Sequence, residues 1–203
     1  MAPGNRKYFL TFKGKRYTRP LHPHEMFASE FNRSMLRVLH DTTRDQVVLF
    51  TCHEKDMHFS NHTCTGDGQY CRDRDLCIED DVLYEKWSYT DLANTTFMLC
   101  PGGRSPASYR LIEALSVGAI PIVLERDETL LPFHSAIPWA RCLFSLRETD
   151  VRNLDSMLRS LGISEVEYMH QNCTSIFTKY FSNARAIAET ALQVTLQNIR
   201  AKS

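Results

Sequence analysis

The sequence predicts an α/β domain with a Rossmann-like, mostly parallel sheet, helices on both faces and a helical C-terminus. Residues 94–125 read strand, loop, helix, strand, which is one βαβ unit. Such a unit implies parallel strands joined by right-handed crossovers. Two further apolar runs, at residues 7–12 and 46–51, are interpreted as strands. A length of 203 residues accommodates one domain, so residues 1–203 are interpreted as a single unit.

The first predicted strand, residues 7–12, is followed by a predicted loop with the sequence Lys13-Gly14-Lys15-Arg16. Ligands collect at the carboxyl ends of strands in a doubly wound sheet. Gly14, flanked by cations such as Arg16, therefore suits the close approach of a diphosphate. A solvated basic turn is the alternative interpretation of the same residues.

A helix is predicted over residues 26–40, before the second strand. Residues 52–81 form a polar insertion loop that is rich in cysteine and histidine. Zinc modules usually contain C-x-x-C pairs, and this loop has none, which favours disulfides over a metal site. No metal ligands are therefore assigned. Connectivity cannot be read from a sequence, so a nested pairing is one arrangement among several: Cys52–Cys77 around Cys64–Cys71.

The central βαβ unit is preceded by a short strand or helix at residues 83–92. Its two strands are predicted at residues 96–100 and 120–124. Ser105 is a suitable N-cap for the helix between them, and Gly118 is a stop signal at its end.

The last predicted strand covers residues 141–145. Three helices are predicted after it, at about residues 149–161, 165–180 and 184–200. The apolar face of the last helix consists of Ile187, Ala191, Val194 and Leu196.

The chemistry of the central unit lies at the start of its helix. Free N–H groups and the helix dipole favour an anion there, and Ser108 lies in the first turn. Arg110 and Glu113 are three residues apart and share a helix face. An arginine that pairs with phosphate oxygens and a glutamate that accepts from ribose hydroxyls suit a nucleotide diphosphate sugar. The alternative is an intrahelical Arg–Glu pair on a solvated face.

Composition excludes some classes of function. The chain carries 24 basic and 24 acidic residues, so binding to nucleic acid has no electrostatic support. No apolar run is long enough to span a membrane, and the N-terminus has no apolar signal-peptide region. Seven cysteines and four glycosylation sequons favour an oxidising secretory compartment. The sequon asparagines are Asn32, Asn61, Asn94 and Asn172.

Several ordered motifs together resemble the exostosin family of inverting glycosyltransferases, which includes the heparan sulfate polymerase subunits. The pattern S-x-R-x-x-E-A, followed by G-x-x-P-V, is closely matched at residues 108–122. Further matches are RKYFLTFKGKRY, LYEKWSYTDLANTTF, LLPFHSAIPW and KYFSNARAIAETALQ. The resemblance covers nearly the whole chain except about residues 52–80.

The resemblance implies the C-terminal, sugar-nucleotide-binding lobe of a GT-B fold. It implies a UDP-sugar donor, with UDP-glucuronate as the first expectation, and transfer to a growing heparan sulfate-type chain. No catalytic base is assigned, because in GT-B enzymes it usually comes from the other lobe. No metal or other cofactor is expected. The expected donor-binding residues are Gly103, Arg104, Ser108, Arg110 and Glu113, supported by Gly14, Arg16 and Arg33.

The resemblance also implies a setting. Family members resemble type II membrane proteins of the Golgi or ER lumen, with an N-terminal anchor and a preceding lobe, so the chain is expected to be part of a longer protein. A glycan acceptor and a second exostosin-like subunit are the expected partners.

Some members have a cysteine where this chain has Ala119, so Cys100 is expected to be unpaired. Two alternatives are a catalytically silent exostosin-like partner subunit and a secreted Cys/His-rich binding module.

Overall fold

The computed structural model describes residues 3–16, 45–52, 85–101, 109–125 and 131–201. Within these residues five strands form one parallel sheet in the order β2-β1-β3-β4-β5. The strands are β1 Tyr8–Arg16, β2 Gln46–Cys52, β3 Thr95–Leu99, β4 Ile120–Leu124 and β5 Phe144–Leu146. The α-helices are α1 Tyr89–Leu92, α2 Tyr109–Ser116, α3 Leu154–Arg159, α4 Ile163–Ile176 and α5 Ala184–Arg200. The predicted class, an α/β fold with a parallel sheet and a helical C-terminus, is confirmed.

Strand β1 is longer than predicted. Residues 13–16 were expected as a loop, but they continue the strand and pair with β2, with Gly14 opposite Phe50 and Arg16 opposite Cys52. Lys13 is only 8% exposed, so the alternative of a solvated basic turn is also wrong at this residue. The backbone of these residues pairs with β2 in the parallel ladder, and this pairing outweighs the weak strand preference of glycine and lysine.

The central unit follows its prediction closely, with strands at β3 and β4 on either side of α2. Ser105 lies outside the described residues. The predicted stop is confirmed because Gly118 has a positive φ of 68°. Its N–H bonds the carbonyl of Leu115 at 3.0 Å, and the N–H of Ala119 bonds that of Ala114 at 2.9 Å. This pair of bonds is a Schellman motif, which requires the left-handed conformation that glycine adopts without strain.

The flanking elements correct several boundaries. The segment before β3 is helical, since α1 begins after Ser88, whose side chain accepts from the N–H of Asp91 at 3.0 Å. The last strand is Phe144–Leu146, and a 3₁₀ turn, Trp139–Arg141, occupies the start of the predicted one. The first C-terminal helix begins as a 3₁₀ helix at Glu148–Asn153 before α3. The next helix, α4, continues as a π-helix at Phe177–Phe181. The helix predicted over residues 26–40 lies outside the described residues.

The core lies between the sheet and the helices. Its largest fully buried side chains come from β1, β3, α2 and β4, and burial of each contributes roughly 1.5–3 kcal/mol. They are Leu10, Phe97, Leu99, Leu111, Leu115, Ile120, Ile122 and Leu124. The predicted apolar face of α5 does not join this core, since Ile187 is 41% and Leu196 is 44% exposed. The residue that α5 does bury is Thr190.

A disulfide joins Cys142, which precedes β5, to Cys173 in α4. It was not among the predicted pairs. The side chains of Cys52, Cys64, Cys71 and Cys77 lie outside the described residues, so those pairings stay predictions. Cys100 is buried and free, as expected. In the part of the chain that the structure describes, no helix is long and apolar enough to cross a membrane.

Candidate functional site

The order of the sheet points to one place for a ligand. The chain runs from β1 outward to β2, then returns to the other side of β1 for β3 and continues outward to β4 and β5. In open α/β sheets, ligands bind at such a reversal point, near the carboxyl ends of the two strands that flank it. Here those strands are β1 and β3, and α2 is the helix that follows β3.

A cavity of about 390 Å³ lies beside these two strands. Its walls come from β1, β3, α1 and α2, and they are mainly apolar with a few charged groups. The charged, aromatic and sulfur-containing side chains among its described lining residues are Phe12, Lys13, Tyr89, Met98, Arg110 and Glu113. A mostly apolar cleft with a few convergent polar groups is the usual form of a small-molecule site.

Arg110 and Glu113 both line this cavity, so the predicted common face of α2 is confirmed. Arg110 is half-buried. Its guanidinium carbon lies 4.8 Å from the centre of the Phe12 ring and 5.9 Å from the centre of the Tyr89 ring. Glu113 is exposed. Among the described residues no ion pair joins Arg110 to Glu113, so the alternative of an isolated intrahelical pair is not what α2 presents.

Lys13 brings a second cation to the cavity. Its ammonium donates to the carbonyl of Trp87 and lies 5.0 Å from the centre of the Tyr89 ring. Sequence reasoning assigned Lys13 to a basic loop and did not single it out. No local pattern singles it out, because only the pairing with β2 shows that Lys13 is part of a strand. Among the described residues that line the cavity, Arg110 and Lys13 are positive and Glu113 is negative.

Cys100 directly follows β3, and its thiol interacts electrostatically with Arg110 and Glu113. Burial raises the pKa of its thiol to about 12; nearby Arg110 lowers the pKa and Glu113 raises it. The thiol donates to the carbonyl of Met98 at 3.4 Å. A thiol with so high a pKa stays protonated at neutral pH, which excludes it as a nucleophile.

The C-terminal end of α2 receives hydrogen bonds from two side chains that sequence reasoning missed, Arg6 and His170. Arg6 Nη2 donates to the carbonyls of Val117, at 2.8 Å, and Gly118, at 3.2 Å. His170 Nδ1 lies 2.7 Å from the Gly118 carbonyl and donates to it, since a carbonyl only accepts. Burial lowers the pKa of the Arg6 guanidinium. These groups satisfy carbonyls that every helix leaves free at its C-terminus and so fix the helix that carries Arg110.

Gly14 has a different position from the one predicted. A Cβ on Gly14 would lie 2.4 Å from Cζ of Phe12 and 3.0 Å from Nη2 of Arg110. Gly14 is thus part of the strand beneath the Phe12 ring and the Arg110 guanidinium, not part of a loop. The remaining predicted donor residues, Gly103, Arg104, Ser108 and Arg33, lie outside the described residues, as does the side chain of Arg16.

Two of the four sequons fall in described segments. Asn94 is half-buried, and its Oδ1 accepts from the N–H of Lys7 at 3.3 Å. Asn172 lies within α4, and its Nδ2 donates to the carbonyl of Tyr168 at 2.7 Å. Both amides therefore have partners in the folded chain. Glycosylation stays a prediction at these sites and at Asn32 and Asn61, which lie outside the described residues.

The described residues contain no group of three or more His, Cys, Asp and Glu that could hold a metal ion. The cysteine-rich insertion, residues 52–81, lies outside them except for the backbone of Cys52. His58 and His62 in that insertion have the H-x₃-H spacing of zinc ligands, which weakens the preference for disulfides there.

A protein-family model described as the Exostosin GT47 domain matches residues 1–161 of the chain. The Exostosin-1 homolog of Caenorhabditis elegans is 29% identical over 195 residues, which cover 96% of this chain and 46% of that protein. Exostosin-1 of Drosophila melanogaster is 30% identical over 198 residues, or 97% of this chain and 23% of that protein. Exostosin-1 of Bos taurus is 31% identical over 199 residues, or 97% and 24%. The chain therefore spans less than half the length of these relatives.

Among solved structures, an α,α-trehalose-phosphate synthase (UDP-forming) from Burkholderia vietnamiensis is similar with a TM-score of 0.46 and 12% identity. The similarity covers 97% of this chain and 45% of that one.

Proposed function

The chain belongs to the exostosin GT47 family of glycosyltransferases, and we propose that it is the sugar-nucleotide-binding lobe of an inverting GT-B enzyme of this family. The proposed donor is a UDP-sugar, first of all UDP-glucuronate, and the proposed acceptor is a hydroxyl of a growing heparan sulfate-type chain. One observation carries the proposal: Arg110 and Glu113 line the same cavity, beside β1 and β3, the two strands between which the order of the sheet reverses.

Arg110 is the proposed ligand of the donor diphosphate. A guanidinium is planar, always charged and able to bind two phosphate oxygens at once. When the glycosidic bond to the donor breaks, negative charge builds up on the departing diphosphate, and a fixed cation stabilises that charge. Lys13, a second cation on the wall of the same cavity, supports an anionic ligand.

Glu113 is the proposed ligand of the ribose. An exposed carboxylate one turn along α2 from Arg110 can accept from two neighbouring hydroxyls. Inversion also needs a base that takes the proton of the acceptor hydroxyl. No described residue is assigned this role, which we propose belongs to another part of a longer protein.

The same proposal has a cellular setting. We propose that the full-length protein is a type II membrane protein of the Golgi or ER lumen with a second exostosin-like subunit as partner. The disulfide between Cys142 and Cys173 supports an oxidising compartment, because such bonds persist there and are rare in the cytosol.

Calorimetric titration with UDP, UDP-glucuronate and UDP-N-acetylglucosamine tests the proposal. We expect saturable binding of all three, and the order of affinities then identifies the sugar. Glu113→Ala should weaken each by about tenfold or more, since hydrogen bonds to a charged acceptor contribute roughly 1.5–3 kcal/mol. Glu167→Ala, an exposed glutamate on α4 that does not line the cavity, is the matched control. A folded chain that binds none of the three would contradict the proposal and favour a catalytically silent partner subunit.

A further inference from the structure

We propose that Phe12 is a positioning residue for Arg110, and that Gly14 is needed because it gives the Phe12 ring its place. The inference rests on the proposed function, in which Arg110 binds the donor diphosphate. It assigns to Gly14 an indirect role through two neighbours instead of direct contact with phosphate.

The backbone beneath the site is fixed first. Phe12 lies in the middle of β1, opposite Val48 of the parallel strand β2, and the preceding Thr11 lies opposite Met98 of β3. Strand β1 therefore has neighbours on both sides at this level. The Phe12 side chain is only 4% exposed. A ring on such a backbone has a defined position from which it can hold a second group.

The Phe12 ring occupies space that the next side chain on its face would normally take. Residues two apart in a strand point to the same face, so Phe12 and Gly14 are neighbours there. A Cβ on Gly14 would lie 2.4 Å from Cζ and 2.9 Å from Cε1 of the ring. No real Cβ tolerates a carbon at 2.4 Å, since carbon atoms in contact are about 3.5–4.0 Å apart. Any residue other than glycine at this position therefore displaces the ring.

The Arg110 guanidinium lies over the Phe12 ring. Its carbon lies 4.8 Å from the Phe12 ring centre, within the distance at which a cation is attracted to an aromatic face. Its Nη2 would lie 3.0 Å from a Cβ on Gly14, so the guanidinium also uses the space above the glycine. Tyr89 of α1 contributes a second ring at 5.9 Å. Since arginine has many rotamers, these rings restrict the directions in which its N–H groups point.

The test compares the affinities of the chain for UDP and for uridine. Uridine lacks the diphosphate, so a residue that acts through Arg110 changes UDP affinity and leaves uridine affinity alone. We expect Phe12→Leu to weaken UDP binding about tenfold, as the loss of a desolvated cation–π contact predicts. Gly14→Ala should act in the same direction while keeping the apolar volume of the core, and so tests the inference even where Phe12→Leu folds poorly.

The structure offers a matched control on the same strand. Arg159 lies 4.2 Å from the ring centre of Phe9, a similar pair that does not line the cavity. Phe9→Leu should leave the ratio of UDP to uridine affinity unchanged. A double-mutant cycle adds a second readout: in an Arg110→Met background, Phe12→Leu should have no further effect on UDP affinity.

The outcomes separate this inference from the proposed function. Equal UDP affinity in the wild type and in folded Phe12→Leu and Gly14→Ala variants would overturn the inference alone, provided that Arg110→Met weakens binding. A parallel loss of UDP and uridine affinity, or an additive double-mutant cycle, would also overturn it. A wild-type chain that binds no UDP would overturn the proposed function and this inference with it.

Discussion

Arg110 makes contacts that a lysine could not make together. Its guanidinium carbon lies 4.8 Å and 5.9 Å from the ring centres of Phe12 and Tyr89, and the N–H groups of a guanidinium donate in its own plane, away from a ring on its face. A lysine ammonium is a compact point charge and has no such flat face. At the scale of the residue, the site therefore depends on shape as well as on charge.

Cys100 gives a prediction on pH. Its pKa is about 12 in the folded chain, against an ordinary value of 9.0. Above pH 9 the unfolded chain loses this proton while the folded chain keeps it, so stability falls as pH rises toward 12. At pH 10 the loss should be about 1.4 kcal/mol, following from 1.36 kcal/mol for each unit of pKa difference. Urea unfolding of the wild type and of Cys100→Ala between pH 8 and pH 10 measures it.

Comparing how the free energy of unfolding falls with pH in the wild type and in Cys100→Ala separates the thiol from other groups that titrate in this range. Cys100→Ala should lose less stability than the wild type over the same interval, whatever its stability at pH 8. Identical pH dependence in both proteins would contradict a buried thiol at this position.

At the scale of the element, α2 is the part that sequence reasoning predicted best. The common face of Arg110 and Glu113 follows from helical spacing, and the stop at Gly118 follows from its freedom to adopt positive φ. Strand β1 was predicted to end at residue 12, four residues too early, because a glycine among lysines is typical of a turn. Only the pairing with β2 shows that these residues are part of the strand. The contact of Gly14 with Phe12 depends on that pairing and could not be predicted locally.

The C-terminus of α2 gives a second prediction. Arg6→Met leaves the carbonyls of Val117 and Gly118 without this donor and removes a cation from a helix C-terminus. We expect a loss of about 1–2 kcal/mol in the free energy of unfolding, measured with urea.

Arg185→Met is the matched control for this change. Arg185 is exposed on α5 and pairs with Glu189 one turn away, an interaction that contributes about 0.3–0.5 kcal/mol. An Arg6→Met variant that loses no more stability than this control would show that Arg6 does not hold the helix.

At the scale of the whole molecule, the disulfide Cys142–Cys173 ties α4 to the region before β5 across a sequence separation of 31 residues. The predicted pairs were limited to the four cysteines of the insertion, which lie close together in the sequence. Which distant cysteines meet depends on how α4 packs against the sheet, and no local pattern contains that information. The exposed face of α5 was missed for the same reason, since periodicity identifies an apolar face but not its neighbours.

The disulfide between Cys142 and Cys173 closes a loop with a sequence separation of 31 residues. Closure of a loop of this length is expected to contribute about 3–4 kcal/mol to the free energy of unfolding. The double variant Cys142→Ala and Cys173→Ala should therefore lose roughly that amount in urea unfolding, and intact mass with and without reductant should report the bond in the wild type. A double variant as stable as the wild type would contradict the bond.

The central claim is that Arg110 holds the diphosphate of a UDP-sugar, and calorimetric titration of UDP into the wild type and Arg110→Met tests it most directly. Arg152→Met, which changes an exposed arginine outside the cavity, is the control. We expect one saturable site in the wild type and in the control, with affinity at least about tenfold weaker in Arg110→Met, as the loss of a charge-assisted hydrogen bond requires. Equal UDP affinity in the wild type and Arg110→Met would contradict the claim.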